Sequence, residues 1–531
     1  MAHYDYVIIG AGAAGCVLAN RLSEDPATSV CLLEAGGGDA HPFVHMPRGC
    51  AKLVRMPSHM YHYMTEPEEG NGQRPDVWLR GKVLGGSTSV NGMVWVRGQP
   101  GDYAALAEVA GERWGWKNFA RAYEAIEGHE LGPAPTRGGN GPLKVSLPPE
   151  RNALTEAICE AGAKMGWPVK QDVNEPDEGV GVGYMPRSIW KGKRQSAAVA
   201  FLKPAMSRPN LTVITRAVTD RVLFDGKLAT CVQALRNGQM IEVSASKEVL
   251  VCGGAVASPG ILERSGVGDP QLLEELGIPL VLAQPGIGEH VSEHRAIRLQ
   301  WRLKQPLSFN TAYQGWRLPL SVMQYYLTHA GPMSAAAIEM RAAFKSRPDA
   351  PRADIQSQFG LYSWDLTDPG GGLESTHGFC AVANTISPSS RGSVHIHTRD
   401  PNALPTVRPG YNTTNEDRAV ILSAARQLRE WAAQEPLASL IECETAPGPG
   451  AQTDADLLEA ANTMGNAGMH TVGSCRMGTD PDSVVDPDCR VRGLEGIRVI
   501  DTSIFPFITS GNTQAPTMAL AWLAAEAMLA R

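Results

Sequence analysis

Gly10, Gly12 and Gly15 stand in the order GxGxxG, and Glu34 follows 34 − 15 = 19 positions after the last of them. Residues of these types at this spacing bind a dinucleotide. Gly10 permits a tight turn and Gly12, with Ala13 beside it, lets the backbone approach a pyrophosphate. Gly15 lets a helix pack closely on a strand, with its N-terminus facing the phosphates. An acid at position 34 binds both ribose hydroxyls and disfavours a 2′-phosphate, so NADP is not expected. The spacing alone leaves FAD and NAD open. Two histidine pairs also have spacings that can bind metal: His290 with His294, and His395 with His397. Neither has a third ligand nearby, so structural roles are expected for the first pair and solvated strand positions for the second. The ten cysteines form no CxxC pair and no Cys/His cluster, so neither a metal site nor a disulfide framework is expected.

The elements that position these glycines are legible from Asp5 to Gly36. A short apolar run, Tyr6 to Ile9, enters the glycines. Val17, Leu18 and Leu22 then follow a helical period, and a second apolar run ends on Glu34. This is a strand, a glycine turn, a helix and a second strand. At 531 residues the chain exceeds one core, and two or three domains are expected. A formal net charge of −7 and the absence of a Lys/Arg run exclude a nucleic-acid surface. The first strand starts almost at Met1, which leaves no room for a leader, and a cytoplasmic location is expected. The apolar stretch Ala515 to Ala530 is interrupted by Glu526 and too short to span a bilayer, which leaves peripheral membrane contact open.

From Arg80 to Gly98 the chain reads RGKVLGGSTSVNGMVWVRG. So many small residues suit backbone wrapped around a flat ligand. The segment resembles the first signature of the glucose-methanol-choline (GMC) flavoprotein oxidoreductases, and with Gly10 to Gly15 it implies FAD. The resemblance places Gly85, Gly86, Ser87 and Asn91 against the pyrophosphate and isoalloxazine. Some relatives carry, just before the asparagine, a histidine bonded covalently to the flavin. Val90 stands there and has no nucleophile, so non-covalent FAD is expected. Arg194 to Gly226 is similar to the stretch in which Val218 would hold the adenine through its backbone. Lys247 to Gly268, with Ser258 and Pro259 at its centre, resembles the second signature. Its Gly253 and Gly254 lack a third glycine and a terminal acid, so it is expected to return the chain to the first sheet. Pro285 to His294 resembles the family's PGVGxNLxDH turn but has His290 for asparagine and Glu293 for aspartate.

Near the C-terminus, Gly465 to Gly478 resembles the family's HPxGTCxMG box, and the stretch from Arg498 resembles its final FAD-binding strand and helix. His470 aligns with the family's catalytic histidine, and Asn512 with its His/Asn partner. Thr471 replaces the usual proline. The resemblance makes Asp501 a flavin contact and sets Thr513, Ala515 and Pro516 at the start of the last helix. That helix's positive end would stabilise charge on the reduced flavin. Imidazole titrates near neutral pH and can accept a hydroxyl proton while hydride leaves for flavin N5. The Asn512 amide can hold the alcohol oxygen.

The fold expected is α/β. A Rossmann-like FAD-binding domain takes residues 1–150, 200–299 and 465–531, and a second α+β substrate-binding domain, a mixed sheet backed by helices, takes 151–199 and 300–464. In the second, Phe359, Tyr362, Trp364 and Phe379 are candidates for pocket walls. The resemblance implies a choline dehydrogenase-like alcohol dehydrogenase or oxidase that converts a primary alcohol to an aldehyde. Its alternatives are a hydroxynitrile-lyase-like flavoprotein and a light-driven fatty-acid decarboxylase. Its partners would be a small alcohol and an electron acceptor, whether oxygen, a quinone or a cytochrome. Choline calls for a carboxylate or aromatic cage; Glu339 is a surface or sheet residue by its context.

Overall fold

The apolar runs that flank the first glycines become the centre of a parallel sheet. Val30–Glu34 is buried at every position and Ala2–Ile9 over its last three, as in strands covered on both faces. The computed structural model describes residues 2–177, 179–368 and 371–530. In it the strands Leu211–Thr215, Val30–Glu34, Ala2–Ile9 and Gln239–Val251 lie side by side in parallel. Gln239–Val251 has 13 residues and serves two partners along one edge. Its first half pairs antiparallel with Leu228–Arg236, which continues to Ala217–Asp225, and its last three residues pair parallel with Ile497–Val499. The second glycine turn, Gly253–Gly254, therefore leaves the same sheet beside the first one, as expected. Helices Ala13–Leu22 and Gln514–Leu529 pack together in the core of this layer, and the Arg21 guanidinium lies 4.3 Å from the Trp522 ring.

A second, mixed sheet runs Ile441–Ala446, Arg295–Leu303, Gly378–Thr385, Ile355–Gly360, Met340–Phe344, Gly181–Tyr184, Val169–Lys170. Helices Ala153–Lys164 and Asn415–Ala432 back it and share its core. Trp301 stacks on Phe379 at 5.1 Å, and Trp431 reaches Phe359 at 4.8 Å. Phe359 and Phe379 thus belong to this core and do not wall a pocket. Arg295–Leu303 straddles the boundary expected between 299 and 300. Asn466–Ala467 pairs with its first two residues. The two segments that approach the candidate base, the turn before Arg295 and the loop after Ala467, are therefore delivered side by side where the two sheets meet. Among the described residues no helix is long and apolar enough to cross a membrane.

Candidate active site

A cavity of about 1070 Å³ opens at that seam. Gly10, Gly12, Ala13, Glu34, Ser87, Asn91, Val218, His470, Asp501, Asn512 and Thr513 all line it. Residues separated by up to 503 positions are brought to one wall. Gly15 and Gly85 do not face it, and each has a different task. A Cβ on Gly15 would lie 1.9 Å from the Gly10 carbonyl oxygen, so the helix packs on its strand only because position 15 is bare. Gly85, at φ +90°, donates its amide to the Ala11 carbonyl at 2.8 Å and ties the second Gly-rich loop to the first. Gly15→Val is expected to give protein without the yellow flavin absorbance, because the Gly10 carbonyl is backbone and cannot yield to the side chain. Flavin content after purification checks it.

The lining fits FAD. A Cβ on Gly12 would meet nothing within 4 Å, so the backbone is open to the cavity there. Helix Ala13–Leu22 starts at Gly12 with no side-chain cap, leaving first-turn amides for a pyrophosphate. Glu34 accepts the amides of Ala11 (2.9 Å) and Gly36 (2.8 Å); burial pushes its carboxyl up to about 7. Helix Gln514–Leu529 also starts uncapped, at Thr513, and the buried Gln514 Nε2 has no partner. Asn91 reaches the same helix, donating to Gln514 Oε1 at 2.6 Å. Asp501 is a brace as well as a wall: it accepts from the Gly254 amide (2.8 Å), Ser258 Oγ (2.6 Å) and the Ser503 amide (2.7 Å). Val90 lies buried with Val44, Leu53, Met60 and Val83.

His470 sits in a chain of hydrogen bonds whose direction is set at its far end. The Ile386 carbonyl can only accept, so His294 Nε2 donates to it at 2.7 Å. Burial holds the His294 imidazole down at about 4, so the ring is neutral at pH 7 and its Nδ1 carries a lone pair. His470 Nδ1 lies 2.9 Å from that Nδ1 and must be the donor. The lone pair of His470 is thus on Nε2, where it accepts from Asn512 Nδ2 at 2.7 Å. Gln358 Nε2 in turn donates to Asn512 Oδ1 at 3.1 Å. Burial, then the His294 ring and Arg80, keep His470 well below the usual imidazole range. The free base faces the cavity.

Beneath the two histidines lies Glu293. Its Oε1 accepts the amides of His294 (2.9 Å) and His470 (2.7 Å), and its Oε2 accepts Thr471 Oγ1 (2.5 Å) and Arg80 Nη2 (3.5 Å). Two of the departures from the family pattern, Glu293 and Thr471, therefore meet each other. Met469, directly before His470, sits in left-handed backbone at φ +64°. Gly468 must be bare, since its Cβ would lie 2.7 Å from His294 Cβ. Sequence reasoning left His294 and Glu293 as structural residues of a turn. The signal that could have found them was the paired departure at 293 and 471.

Other expectations need correcting. His290 lies at φ +59° in a turn, so it shares no helical face with His294. His395 is no solvated strand histidine: it bridges Glu263 (2.7 Å) and Glu289 (3.0 Å), and despite burial these carboxylates lift it to about 9. Glu339 is 2% exposed, not a surface residue. Of the four candidates for pocket walls, Tyr362 and Trp364 line the cavity. Among the described residues no group of His, Cys, Asp or Glu could hold a metal, and all ten cysteines are free.

Models of the GMC oxidoreductase family match residues 4–296 and 388–521. The chain is 38% identical over 524 residues to an oxygen-dependent choline dehydrogenase of Burkholderia multivorans, covering 98% of this chain and 92% of that one. It is 39% identical over 537 residues to an oxygen-dependent choline dehydrogenase of Klebsiella pneumoniae, covering 99% and 96%. Among solved structures, pyridoxine 4-oxidase from Mesorbium loti superposes with a TM-score of 0.90 at 30% identity, covering 99% of each chain. A formate oxidase of Aspergillus oryzae superposes with a TM-score of 0.91 at 22% identity over 100% of this chain and 98% of that one, a likeness of fold.

Proposed function

The chain belongs to the GMC oxidoreductases, FAD-dependent enzymes acting on alcohol donors, and on that premise we propose that it oxidises a primary alcohol to an aldehyde with His470 as the base and FAD held non-covalently. The observation that carries this reading is the directed chain from Ile386 through His294 to His470 Nε2 and Asn512. An alcohol oxygen inserted between the last two would accept from the Asn512 amide and donate to the imidazole. Bound FAD supplies the hydride acceptor. His470 takes the hydroxyl proton at Nε2, and its Nδ1–H stays shared with His294. Gln358 keeps the Asn512 amide turned so that Nδ2, not Oδ1, faces the alcohol. Val90 at the place of the family's flavin-linking histidine supports non-covalent binding.

Anaerobic mixing of the yellow protein with primary alcohols in the dark tests the reading: at least one is expected to bleach the flavin. Recolouring in air tests oxygen as the acceptor, the property named for the choline dehydrogenase relatives. No bleaching by any alcohol, with turnover of a cyanohydrin or a light-driven reaction instead, would replace this proposal.

The pH dependence has a definite sign. A base held neutral by burial works undiminished at pH 7, and the reduction rate falls only as pH drops well below 6.5. Stability follows the same direction. The unfolded chain protonates both histidines near 6.5, whereas folded His294 does so at about 4, so stability is lost as pH falls from 6.5 through 4. A rate that declined from pH 8 to 7 would contradict a desolvated base.

A further inference from the structure

One cation in the wall of the cavity has no ion-pair partner within 4 Å among the described residues, and the buried carboxylate of Glu339 acts on it only from beyond that distance. Arg48 lines the cavity, and its guanidinium carbon lies 4.2 Å from the Tyr313 ring centroid and 4.8 Å from that of Tyr362. Its Nη1 donates to the Ala336 carbonyl at 3.2 Å. These partners are neutral, and among the described residues no carboxylate comes within 4 Å of it. The acids of the lining, Glu34 and Asp501, are bound to backbone amides elsewhere. Glu339, the carboxylate that a quaternary ammonium would need, does not line the cavity and lies 3.9 Å from Arg187. Tyr362 follows the strand that carries Gln358, four residues on, at most about 14 Å of extended chain. Arg48 and His470 line the same cavity.

An enclosed guanidinium is costly unless its charge and its N–H donors are met. Its flat fork matches a carboxylate in bidentate fashion. The same residue works against a cationic substrate, because the two tyrosine faces that could cage an ammonium already hold an internal cation. We propose that Arg48 binds the anionic end of the substrate, so that this chain acts on primary alcohols carrying a carboxylate, not on quaternary-ammonium alcohols such as the one named for its choline dehydrogenase relatives. The proposal rests on the alcohol-oxidising reading of this cavity.

The test compares ω-hydroxycarboxylates with their methyl esters and with ω-hydroxyalkyl trimethylammonium salts over matched chain lengths, by anaerobic flavin reduction of the FAD-loaded enzyme. The alkyl carboxylates without hydroxyl are titrated in parallel, their binding read as a perturbation of the flavin absorbance. The free acid is expected to exceed its ester by roughly 10- to 100-fold in kcat/KM, the worth of a charged hydrogen bond. Arg48→Met should erase that preference and weaken the alkyl carboxylate by a similar factor. Preference of the wild-type enzyme for the ester or the ammonium salt would overturn the proposal and leave alcohol oxidation standing; this arm needs no variant. Alkyl carboxylate binding that depends on Arg48, with no alcohol bleaching the flavin, would uphold the anion site and overturn the oxidation. Equal carboxylate preference in wild type and Arg48→Met would also overturn the role of Arg48.

Discussion

Replacing His470 by alanine is expected to lower the rate of flavin reduction by roughly 10²- to 10⁴-fold, the usual share of a positioned base, while FAD stays bound. The two halves of this expectation come from different parts of the site. The side chain supplies the Nε2 lone pair that meets Asn512 at 2.7 Å, and nothing else in the directed chain can take a proton there. Asn512 and Gln358 do not titrate in this range, and His294 has its lone pair turned toward His470. The contact of residue 470 with Glu293 is through the backbone amide at 2.7 Å, which alanine keeps. The cavity wall at Gly12, Glu34 and Ser87 lies on other elements. Stopped-flow reduction under nitrogen, with flavin content as the control, checks it. Equal rates in variant and wild type would remove His470 as base.

Glu293→Ala is expected to cost more in stability than any other single change at the site, about 3–5 kcal/mol, as when one partner of a buried ion pair is removed. Its carboxylate is buried, and burial raises its pKa while Arg80, Thr471 and the two amides lower it. Without it the amides of His294 and His470 lose their acceptor together, the Thr471 hydroxyl loses its acceptor and keeps only the Arg80 donor, and Arg80 is left without its carboxylate. A buried donor left unmade costs its full desolvation. The two histidines would then lose the common support that keeps their Nδ1 atoms 2.9 Å apart. Thermal unfolding and flavin release measure the effect: the midpoint should fall and flavin should leave earlier, with Glu293→Gln milder because it keeps the shape and one acceptor. A midpoint unchanged in Glu293→Ala would show that the loops are held by other contacts.

How much of this was legible in the sequence depended on how local the physics was. Gly10, Gly12, Gly15 and Glu34 act within one strand-turn-helix-strand unit, so their spacing carried the cofactor class. The strand alternation and helical periods of residues 300–459 carried the mixed sheet and its helices. His470 and Asn512 were legible through resemblance alone, since a histidine and an asparagine 42 positions apart have no local signature. His294 and Glu293 were passed over because their partners lie 176 and 177 positions away. Glu339 reads in the sequence as a surface or sheet residue; its backbone does join the sheet, but no local pattern near it records its burial beside Arg187.

The sequence by itself determined the strand-turn-helix-strand unit and, through its motifs, the family, because the backbone geometry of those motifs is written in neighbouring residues; it offered His470 as the candidate base through resemblance alone. The tertiary structure decided which nitrogen of His470 carries the lone pair, what supports that ring, and that Arg48 stands in the cavity wall with no carboxylate within 4 Å among the described residues. Those are properties of hydrogen-bond direction and burial, which exist only after distant segments meet and exclude water.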